Sequence, residues 1–240
     1  MDKQALLEKY KYKIELHAHS MPASQCCNCP QERFLELYSQ MGVDAVCITN
    51  HYYKNSYIFP NKSKKECIDC YLDDYEKLKA AAKEYGIKIL LGCEIRFADN
   101  TNDYLMFGVN RDIIEQAFDY LGGTLEEYRK SVSLPDTVFV QAHPFRDNMV
   151  TVDPKLLDGI ETMNFHPHHN SRNSVTAAYA KANNITICTG GSDFHHDSPY
   201  HPAALVMLSK TLPEDSFELA KILKENDYLF LLGDNHIIIP

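Results

Sequence analysis

The sequence predicts an α/β protein whose sheet is built from parallel strands. Short apolar segments typical of strands alternate with amphipathic segments typical of helices along nearly the whole chain. Several apolar segments, such as V-C-I-T, I-L-L-G and I-T-I-C-T-G-G, are continuous, as expected of strands that are buried on both faces. This pattern is compatible with an open sheet and with a sheet closed into a β/α barrel.

The predicted elements follow one another in a regular order. Predicted strands cover residues 13–19, 43–51, 88–97, 104–109, 138–143, 159–165, 185–193 and 203–208. Predicted helices cover residues 31–40, 72–85, 111–120, 125–131, 171–183 and 214–225. The Lys-rich stretch 52–70 is predicted to be an insertion loop. Since no repeat or Pro/Gly linker interrupts the pattern, residues 1–240 are predicted to form one domain.

Composition narrows the classes of partner. The chain has 240 residues, 45% of them hydrophobic, and a net charge of −9. This charge argues against long nucleic acid and against membranes as partners, because both need clustered Lys and Arg. No apolar run is long enough to span a bilayer, and the polar start of the chain is not a targeting peptide, so a cytoplasmic location is expected. A small anionic substrate remains compatible, because bound cations reverse the local sign of the charge.

Ionisable residues follow the apolar runs at their C-terminal ends. In parallel β/α folds, active sites are built on this edge. His17 and His19 are two residues apart, so they project to the same side of an extended strand, and Asp193 and His195 have the same spacing. The full set of such residues is His17, His19, His51, Glu94, His143, Asp193 and His195.

These residue types indicate a metal centre. Imidazole together with carboxylate is the ligand mixture expected for Zn, Mn or Fe. A single histidine at a strand end is more often structural, but burying so many ionisable groups without a cation would be costly. The sequence therefore predicts a metal-dependent hydrolase.

The same motifs resemble a known family. In order and spacing, H-A-H-S, I-T-N-H, G-C-E-I, A-H-P-F-R and G-S-D-F-H are similar to the motifs of the polymerase and histidinol phosphatase (PHP) family. The resemblance covers roughly residues 12–210 and includes the run D-G-I-E-T-M-N-F-H-P-H-H-N-S-R-N. It implies a distorted seven-stranded TIM-like (β/α) barrel, up to three metal ions and, often, phosphoesterase activity.

The resemblance also implies which residues bind which ion. Glu94 would bridge two ions, the second of which His143 also binds. His51 and His195 would hold a third. The first ion would be held by His17, His19, Glu94 and Asp193.

Three departures from the family pattern affect the ion count. The loop after His19 supplies no carboxylate, and Asn50 stands where the family usually has Asp. No His occurs between Glu94 and His143, and Asp103 is the substitute ligand in that stretch. Both two and three ions are therefore compatible with the sequence.

The implied reaction is hydrolysis of a small phosphate monoester by water that the metal ions activate. The catalytic assignment comprises His17, Glu94, His143, Asp193 and Arg146. Arg146 and Arg172 are predicted to grip the phosphate through their planar guanidinium groups, although a surface ion pair is the alternative for each. His166 and His168 are predicted to contact the substrate, and one of the histidines after strand 159–165, or His196, would protonate the leaving group.

The loop cysteines suggest a separate structural zinc. Cys26-x-x-Cys29 and Cys67-x-x-Cys70 have the doublet spacing of a four-thiolate site. The alternative is that these thiols are reduced and unconnected.

Two other functions remain open. One is an amidohydrolase, which also begins with H-x-H on a β/α barrel. The other is a non-catalytic metal-binding or interaction module. Histidinol phosphate, nucleotides, phosphotyrosine and oligonucleotide ends all suit the same core, and the pattern predicts no oligomeric state.

Overall fold

A computed structural model describes residues 2–56, 58–197, 203–234 and 236–240. Twelve strands in this part of the chain form two six-stranded sheets. The strands are β1 Tyr12–Ala18, β2 Ala45–Ile48, β3 His51–Tyr52, β4 Lys88–Leu91, β5 Cys93–Ile95, β6 Tyr104–Phe107, β7 Val138–Gln141, β8 Gly159–Asn164, β9 Ile187–Gly191, β10 Leu205–Ser209, β11 Leu229–Leu232 and β12 His236–Ile238.

Seven α-helices accompany these strands in the described ranges. They are α1 Lys3–Lys9, α2 Gln31–Gln40, α3 Lys64–Ala81, α4 Arg111–Phe118, α5 Leu125–Ser131, α6 Asn173–Ala182 and α7 Ser216–Glu225. Short 3-10 turns occupy Ala82–Tyr85 and Pro154–Leu156. None of the helices described is both long and apolar enough to cross a membrane.

Both sheets mix parallel and antiparallel strands. The first has the order β12-β11-β10-β1-β2-β4, and the second has the order β3-β5-β6-β7-β8-β9. The expectation of parallel strands holds for β1, β2 and β4 and for β7, β8 and β9. It is wrong for β6, which runs antiparallel to both neighbours, and for β10, which runs antiparallel to β1 and β11. The connection from β5 to β6 is short and has no helix, so it cannot make the crossover that parallel neighbours need.

The two sheets are joined by the chain itself. Strand β3 follows β2 after two residues, and β5 follows β4 after one, so these strand pairs pass from the first sheet into the second. On the opposite side, Ala18 at the end of β1 forms a parallel bridge with Phe194, just after β9. Hydrogen-bonded pairing in the described residues gives two sheets rather than one closed barrel. The C-terminal ends of β1, β7 and β9 all adjoin the site described below.

Helix α3 begins earlier than expected. The stretch 52–70 was predicted to be a loop, but residues from Lys64 onward are helical. The Ser63 side chain accepts a hydrogen bond from the Glu66 amide, and the Glu66 side chain accepts one from the Ser63 amide. This capping box satisfies amides that the helix itself leaves free. The sequence S-K-K-E is its signature, and it places Cys67 and Cys70 on a helix.

Three further elements were not predicted: α1, β11 and β12. Strand β11 is the four-residue run L-F-L-L, whose length is too short for periodicity to separate strand from helix. It pairs with β10, which in turn pairs with β1 at residues 12–14. These strands extend the first sheet away from the site.

Candidate metal centre

The strands bring the predicted ligands to one place. His17 lies on β1 and His19 directly after it, His51 begins β3, and Glu94 is the middle residue of β5. His51 is paired with Glu94 in the parallel ladder between β3 and β5. The remaining ligands follow or precede strand ends at the same edge: Asp103, His143, Asp193 and His195.

Four side chains surround a first position. The Nε2 atoms of His17 and His19 each lie 3.3 Å from Oδ1 of Asp193. The same nitrogens lie 3.4 and 3.5 Å from the two carboxylate oxygens of Glu94. All four side chains are buried. This is the set that the family resemblance implies for one ion.

Glu94 also contacts a second group. Its Oε1 lies 3.2 Å from Nε2 of His143, and Oδ2 of Asp103 lies 4.0 Å from that nitrogen. The register explains this approach, because the amide of Ala142 donates to the carbonyl of Asp103 at the adjacent strand ends. Asp103 is also paired with Arg96, whose guanidinium group donates to both of its oxygens at 2.7 and 2.8 Å.

A third group comprises His19, His51 and His195, whose candidate ligand atoms lie within 4.8 Å of one another. Nδ1 of His51 lies 2.7 Å from Oε2 of Glu94. Glu94 thus contacts all three groups.

The donor set fits divalent cations. Nε2 of His17, Nε2 of His19 and Oε2 of Glu94 are buried and have no hydrogen-bond partner. Buried polar atoms are normally paired, because an unpaired one costs about 1–3 kcal/mol. A cation among these atoms would satisfy them together.

Charge coupling within the cluster is strong. Burial raises the pKa of Glu94, but the facing imidazoles of His51 and His17 outweigh it and hold that pKa well below its usual range. Burial also raises the pKa of Asp193, but nearby positive charge, mainly that of His17, outweighs burial and holds this pKa well below its usual range. Burial and the neighbouring imidazoles of His195 and His51 push the pKa of His19 well down. The carboxylates are therefore ionised and His19 is neutral. Burial lowers the pKa of His17 and of His51, but the facing carboxylates outweigh it and hold both values well above the usual range. A bound cation would replace the positive charge of these two imidazoles, because metal ligands need neutral imidazole.

Two of the candidate ligands have unusual backbone conformations. His143 has φ 28° and Asp193 has φ 51°, in the left-handed region that few residues other than glycine adopt. Such strain is retained where the surroundings fix a side chain in a required place. Both residues turn out of a strand at this point.

A second layer of buried polar residues orients the ligands, and sequence reasoning missed it. Oε1 of Glu161 lies 2.8 Å from Nδ1 of His17, and its Oε2 accepts from the amide of His143. Asn50 bonds Ser20, Ser24 and the carboxylate of Asp74. The available signal was a Glu inside the otherwise apolar strand 159–165.

Glu15 and Gly191 fix β9 against β1. Oε1 of Glu15 accepts from the amides of His17 and Ser192 at 3.1 and 3.0 Å. Burial raises the pKa of this carboxyl to about 7 despite those hydrogen bonds and that of the Ser192 hydroxyl. A Cβ on Gly191 would lie 2.6 Å from the His17 Cβ, so only glycine permits this approach.

The cluster opens into a cavity of about 550 Å³. Arg146 lines it, and its Nη2 donates at 2.7 Å both to Asp193 Oδ2 and to Asn164. Arg96 also lines it, although sequence reasoning did not select this residue. Its position two residues after Glu94 on the same side of the strand is the signal that could have identified it. His166, His168 and His196 lie around the same cavity.

Arg172 lies apart from this cavity wall. It donates to the carbonyl of Phe145 and to Asp147 and is exposed. Arg172 directly precedes α6 and has a backbone φ of 49°. This is the surface ion pair that was its alternative.

The four doublet cysteines do not share a site. Cys29 and Cys67 are buried in the main hydrophobic core, whereas Cys70 is exposed on α3. Cys26 instead lines the cavity together with His195 and His51. Burial raises the pKa of its thiol, but the neighbouring imidazoles of His195 and His51 outweigh burial and lower the pKa to about 6. The prediction of a four-thiolate zinc site is wrong, because helix α3 turns Cys67 into the core.

Solved structures share this fold at low sequence identity. PsfC from Pseudomonas syringae PB-5123 is 18% identical with a TM-score of 0.61, over 93% of this chain and 92% of that one. A two-domain protein from Bacteroides vulgatus ATCC 8482, described as containing a predicted PHP-like metal-dependent phosphoesterase, is 16% identical with a TM-score of 0.58, over 92% and 64%. Endonuclease Q is 14% identical with a TM-score of 0.58, over 95% of this chain and 58% of that one. No curated protein matches the sequence.

The endonuclease corrects one expectation. Its structure contains a 27-mer duplex with an abasic lesion at the active site. Long nucleic acid was expected to be excluded for the present chain, and that exclusion is wrong, because a protein that shares this fold over 58% of its length forms a complex with a DNA duplex. A net charge of −9 averages the whole surface and does not describe the field at a site that cations occupy.

The sequence itself identifies the family. The family profile described as "PHP domain" matches residues 15–186, which is more than half of the chain. The matched range begins before His17 and includes Glu94 and His143. The chain therefore belongs to the PHP domain family.

Proposed function

We propose that this chain is a metal-dependent hydrolase that cleaves a phosphate ester, with a small phosphate monoester as its substrate. One observation carries the proposal: eight ionisable side chains from distant parts of the sequence converge on one buried cluster at the base of a cavity. The PHP family membership of the chain agrees with this activity.

The residues divide naturally between two or three ions. His17, His19, Glu94 and Asp193 would hold the first. Glu94, His143 and Asp103 would hold the second, with Asp103 released in part from Arg96. When bound, Zn, Mn or Fe supplies Lewis acidity that activates water and polarises phosphoryl oxygens.

We also propose that the two sheets together make the distorted seven-stranded barrel expected of the family. The seven strands of this barrel would be β1, β2 continued by β3, β4 continued by β5, β6, β7, β8 and β9. The continuity of β2 with β3 and of β4 with β5 supports this arrangement, as does the bridge between Ala18 and Phe194.

Two arginines supply positive charge for the substrate. The guanidinium groups of Arg146 and Arg96 both face the cavity. Each is already paired with a carboxylate of the site, Asp193 or Asp103. Cations bound to those carboxylates would compete for the same oxygens and free N–H groups of the arginines to bind phosphate. A terminal phosphate with two charges suits this pair.

His166 orients the substrate in this scheme and does not donate a proton. Burial is the main cause that lowers the pKa of His166 to about 3, so its ring is neutral at pH 7. A neutral imidazole still donates one hydrogen bond. His168 and His196, on the same cavity wall, complete the group that contacts the leaving side of the ester.

The test is phosphate release by protein purified without chelators and loaded with Zn, Mn or Fe. The substrates are histidinol phosphate, p-nitrophenyl phosphate, a nucleoside monophosphate, a duplex with an abasic site, and a panel of amides and lactones. We expect turnover of monoesters, and its loss in His17→Ala. His236→Ala, an exposed histidine on β12, is the matched control.

Each other outcome rejects a specific part of the proposal. Cleavage of the duplex without turnover of monoesters would overturn the substrate class. Turnover of amides or lactones alone would make the chain an amidohydrolase. A metal-loaded protein with no activity on any substrate would be a binding module.

A further inference from the structure

The hydroxyl of Ser24 contacts two candidate metal ligands on the side away from the cavity. Its Oγ lies 3.0 Å from Nδ1 of His19, and it accepts a hydrogen bond from the amide of His51 at 3.0 Å. Ser24 is fully buried in the loop that follows β1. A hydroxyl has one hydrogen to donate and two lone pairs that accept. The direction of the hydrogen bond between Ser24 and His19 therefore depends on where the single hydrogen of Ser24 goes.

The side chain of Asn50 takes that hydrogen. Oδ1 of Asn50 lies 2.8 Å from the backbone nitrogen of Ser20, which can only donate, so the atom at this place is the oxygen of the side-chain amide. Oγ of Ser24 lies 2.9 Å from the same oxygen. An amide oxygen carries no hydrogen and can only accept. Ser24 therefore donates to Asn50.

The carboxylate of Asp74 fixes the orientation of Asn50 independently. Nδ2 of Asn50 lies 2.9 Å from Oδ2 of Asp74, and the other oxygen of this carboxylate accepts from Nε2 of Gln31 at 2.5 Å. Nδ2 also donates to the hydroxyl of Ser20 at 3.0 Å, and that hydroxyl donates in turn to Asp74. If the side-chain amide were rotated, its oxygen would face the carboxylate and its NH2 group would face the backbone N–H of Ser20. Only one orientation of Asn50 satisfies all these groups.

We propose that Ser24 is a positioning residue that fixes His19 as the tautomer protonated on Nδ1. Because the single hydrogen of Ser24 goes to Asn50, the hydroxyl accepts from His19, and Nδ1 carries the proton. In a histidine, the hydrogen bond that one ring nitrogen makes decides the state of the other nitrogen. Nε2 of His19 is thus left with a lone pair.

The lone pair on Nε2 of His19 faces two carboxylates. This nitrogen lies 3.3 Å from Oδ1 of Asp193 and 3.5 Å from Oε2 of Glu94. It has no hydrogen to offer to either oxygen, and among the described residues it has no hydrogen-bond partner. A cation bound here would satisfy these three atoms together and would displace no proton from the ring, which lowers the cost of binding.

The first experiment determines the tautomer in the full chain. Histidine is labelled with ¹⁵N, and long-range ¹H–¹⁵N correlation spectra are recorded on the Zn²⁺-loaded protein and after treatment with a chelator. A ring nitrogen that carries a proton has a ¹⁵N shift well separated from that of a nitrogen without one. The His19 signals are those absent from His19→Gln. We expect a proton on Nδ1 and none on Nε2 in both states, and a proton on Nε2 of the unmodified protein overturns the proposal.

The variant Ser24→Ala removes the acceptor for Nδ1 of His19. The ring can then carry its proton on Nε2, where the carboxylates of Asp193 and Glu94 would accept it. We expect the chelator-treated variant to show that proton, and its affinity for Zn²⁺ to fall about 10–100-fold in competition with a chelating dye. A proton that stays on Nδ1, or an unchanged affinity, overturns the proposal.

Two controls separate the tautomer from general stability. Asn50→Asp keeps an oxygen where Ser24 donates, so His19 should keep its proton on Nδ1 although the protein loses stability. Ser209→Ala removes another buried hydroxyl, at the end of β10, that accepts from the amide of Thr211. This second control should change neither the tautomer nor the affinity for Zn²⁺. If the proton moves to Nε2 in either control, the tautomer does not depend specifically on Ser24, and the proposal falls.

The inference rests on the metal centre of the proposed function, but the two fail separately. If Nε2 of His19 carries a proton while phosphate release persists, Ser24 does not set the tautomer and the hydrolase stands. If the expected tautomer is found and no ester is cleaved, the assignment of Ser24 stands and the hydrolase proposal falls.

Discussion

Nδ1 of His17 lies 2.8 Å from Oε1 of Glu161, and both side chains are fully buried. With Nδ1 donating to this carboxylate, a neutral His17 would present the lone pair of Nε2 to a bound cation. Glu161 also accepts the amide of His143 at 2.9 Å, so one carboxylate orients two candidate ligands. Such outer carboxylates raise the basicity of a metal-binding imidazole and fix its tautomer.

Glu161→Gln should weaken metal binding without removing a ligand. A glutamine replaces one carboxylate oxygen by an NH2 group, which meets either the ring of His17 or the two donors on Oε2, the amide of His143 and Nδ2 of Asn164. In either orientation one of these contacts loses its acceptor. We expect metal affinity to fall about 10–100-fold, measured by competition with a chelating dye. Glu225→Gln, at an exposed residue of α7, is the control. Unchanged affinity in Glu161→Gln would mean that Glu161 only stabilises the fold.

Asn50→Asp should destabilise the protein. Nδ2 of Asn50 donates to Oδ2 of Asp74 at 2.9 Å, and both residues are buried. An aspartate at position 50 would place a second carboxylate against that of Asp74 and would remove this hydrogen bond. We expect the free energy of unfolding to fall by about 1–3 kcal/mol, measured by urea denaturation at pH 7. Asn170→Asp, at an exposed acceptor, should change it little.

The sign of the pH effect adds a check on Asn50→Asp. Burial already raises the pKa of Asp74, and a second carboxylate would raise it further. The folded protein then binds a proton more tightly than the unfolded chain. Stability is therefore lost as pH rises, and the gap between variant and parent should narrow at lower pH. A gap that widens on acidification would contradict this explanation.

Asn50 also shows what sequence could and could not predict about the site. The motif I-T-N-H contains His51, and the strand-end pattern selected seven of the eight candidate ligands, because each of the seven lies at the C-terminal end of an apolar run. Asp103 was added by the family resemblance. The role of Asn50 depends on Asp74, which α3 brings in from outside the motif. A contact between residues 24 apart across two elements leaves no periodic trace in the sequence.

The fold, like the site, was predictable only in part from the sequence. Hydrophobic pattern predicts where strands lie, but it does not predict their direction, so β6 was expected to be parallel. Cys26 was grouped with Cys29 by spacing, whereas Cys29 is buried in the hydrophobic core and Cys26 lines the cavity. Spacing constrains residues on one strand face and says little across a loop.

Removal of metal should lower thermal stability. In the metal-free cluster, the buried atoms Nε2 of His17, Nε2 of His19 and Oε2 of Glu94 lack partners. A ligand that binds only the folded state adds about 2.7 kcal/mol at a concentration 100 times its Kd. We expect the melting temperature to fall on dialysis against chelator and to recover with Zn²⁺. His17→Ala should show a smaller response to both treatments, because one ion position loses a ligand while the others remain, and a full response in this variant would mean that His17 binds no ion.

Gly191→Ala should disrupt the approach of β9 to β1. The added Cβ would lie 2.6 Å from Cβ of His17 and 2.8 Å from its amide nitrogen, and neither atom can move freely. We expect a loss of about 1–3 kcal/mol in the free energy of unfolding, together with reduced metal affinity. Gly122→Ala is matched, because its Cβ would meet only the flexible end of Lys54. Equal stability of the two variants would show that β1 and β9 separate at no cost.

Arg146→Lys should weaken phosphate binding more than Arg172→Lys does. The planar fork of Arg146 faces the cavity, whereas Arg172 is exposed and paired with Asp147. A lysine keeps the charge but loses the two-pronged donor geometry. Because a charge-assisted hydrogen bond contributes about 1.5–3 kcal/mol, inhibition by inorganic phosphate should weaken about tenfold or more in Arg146→Lys. Inhibition in Arg172→Lys should match the unmodified protein. If metal content falls in Arg146→Lys while the inhibition constant holds, then Arg146 acts on Asp193 and not on the substrate.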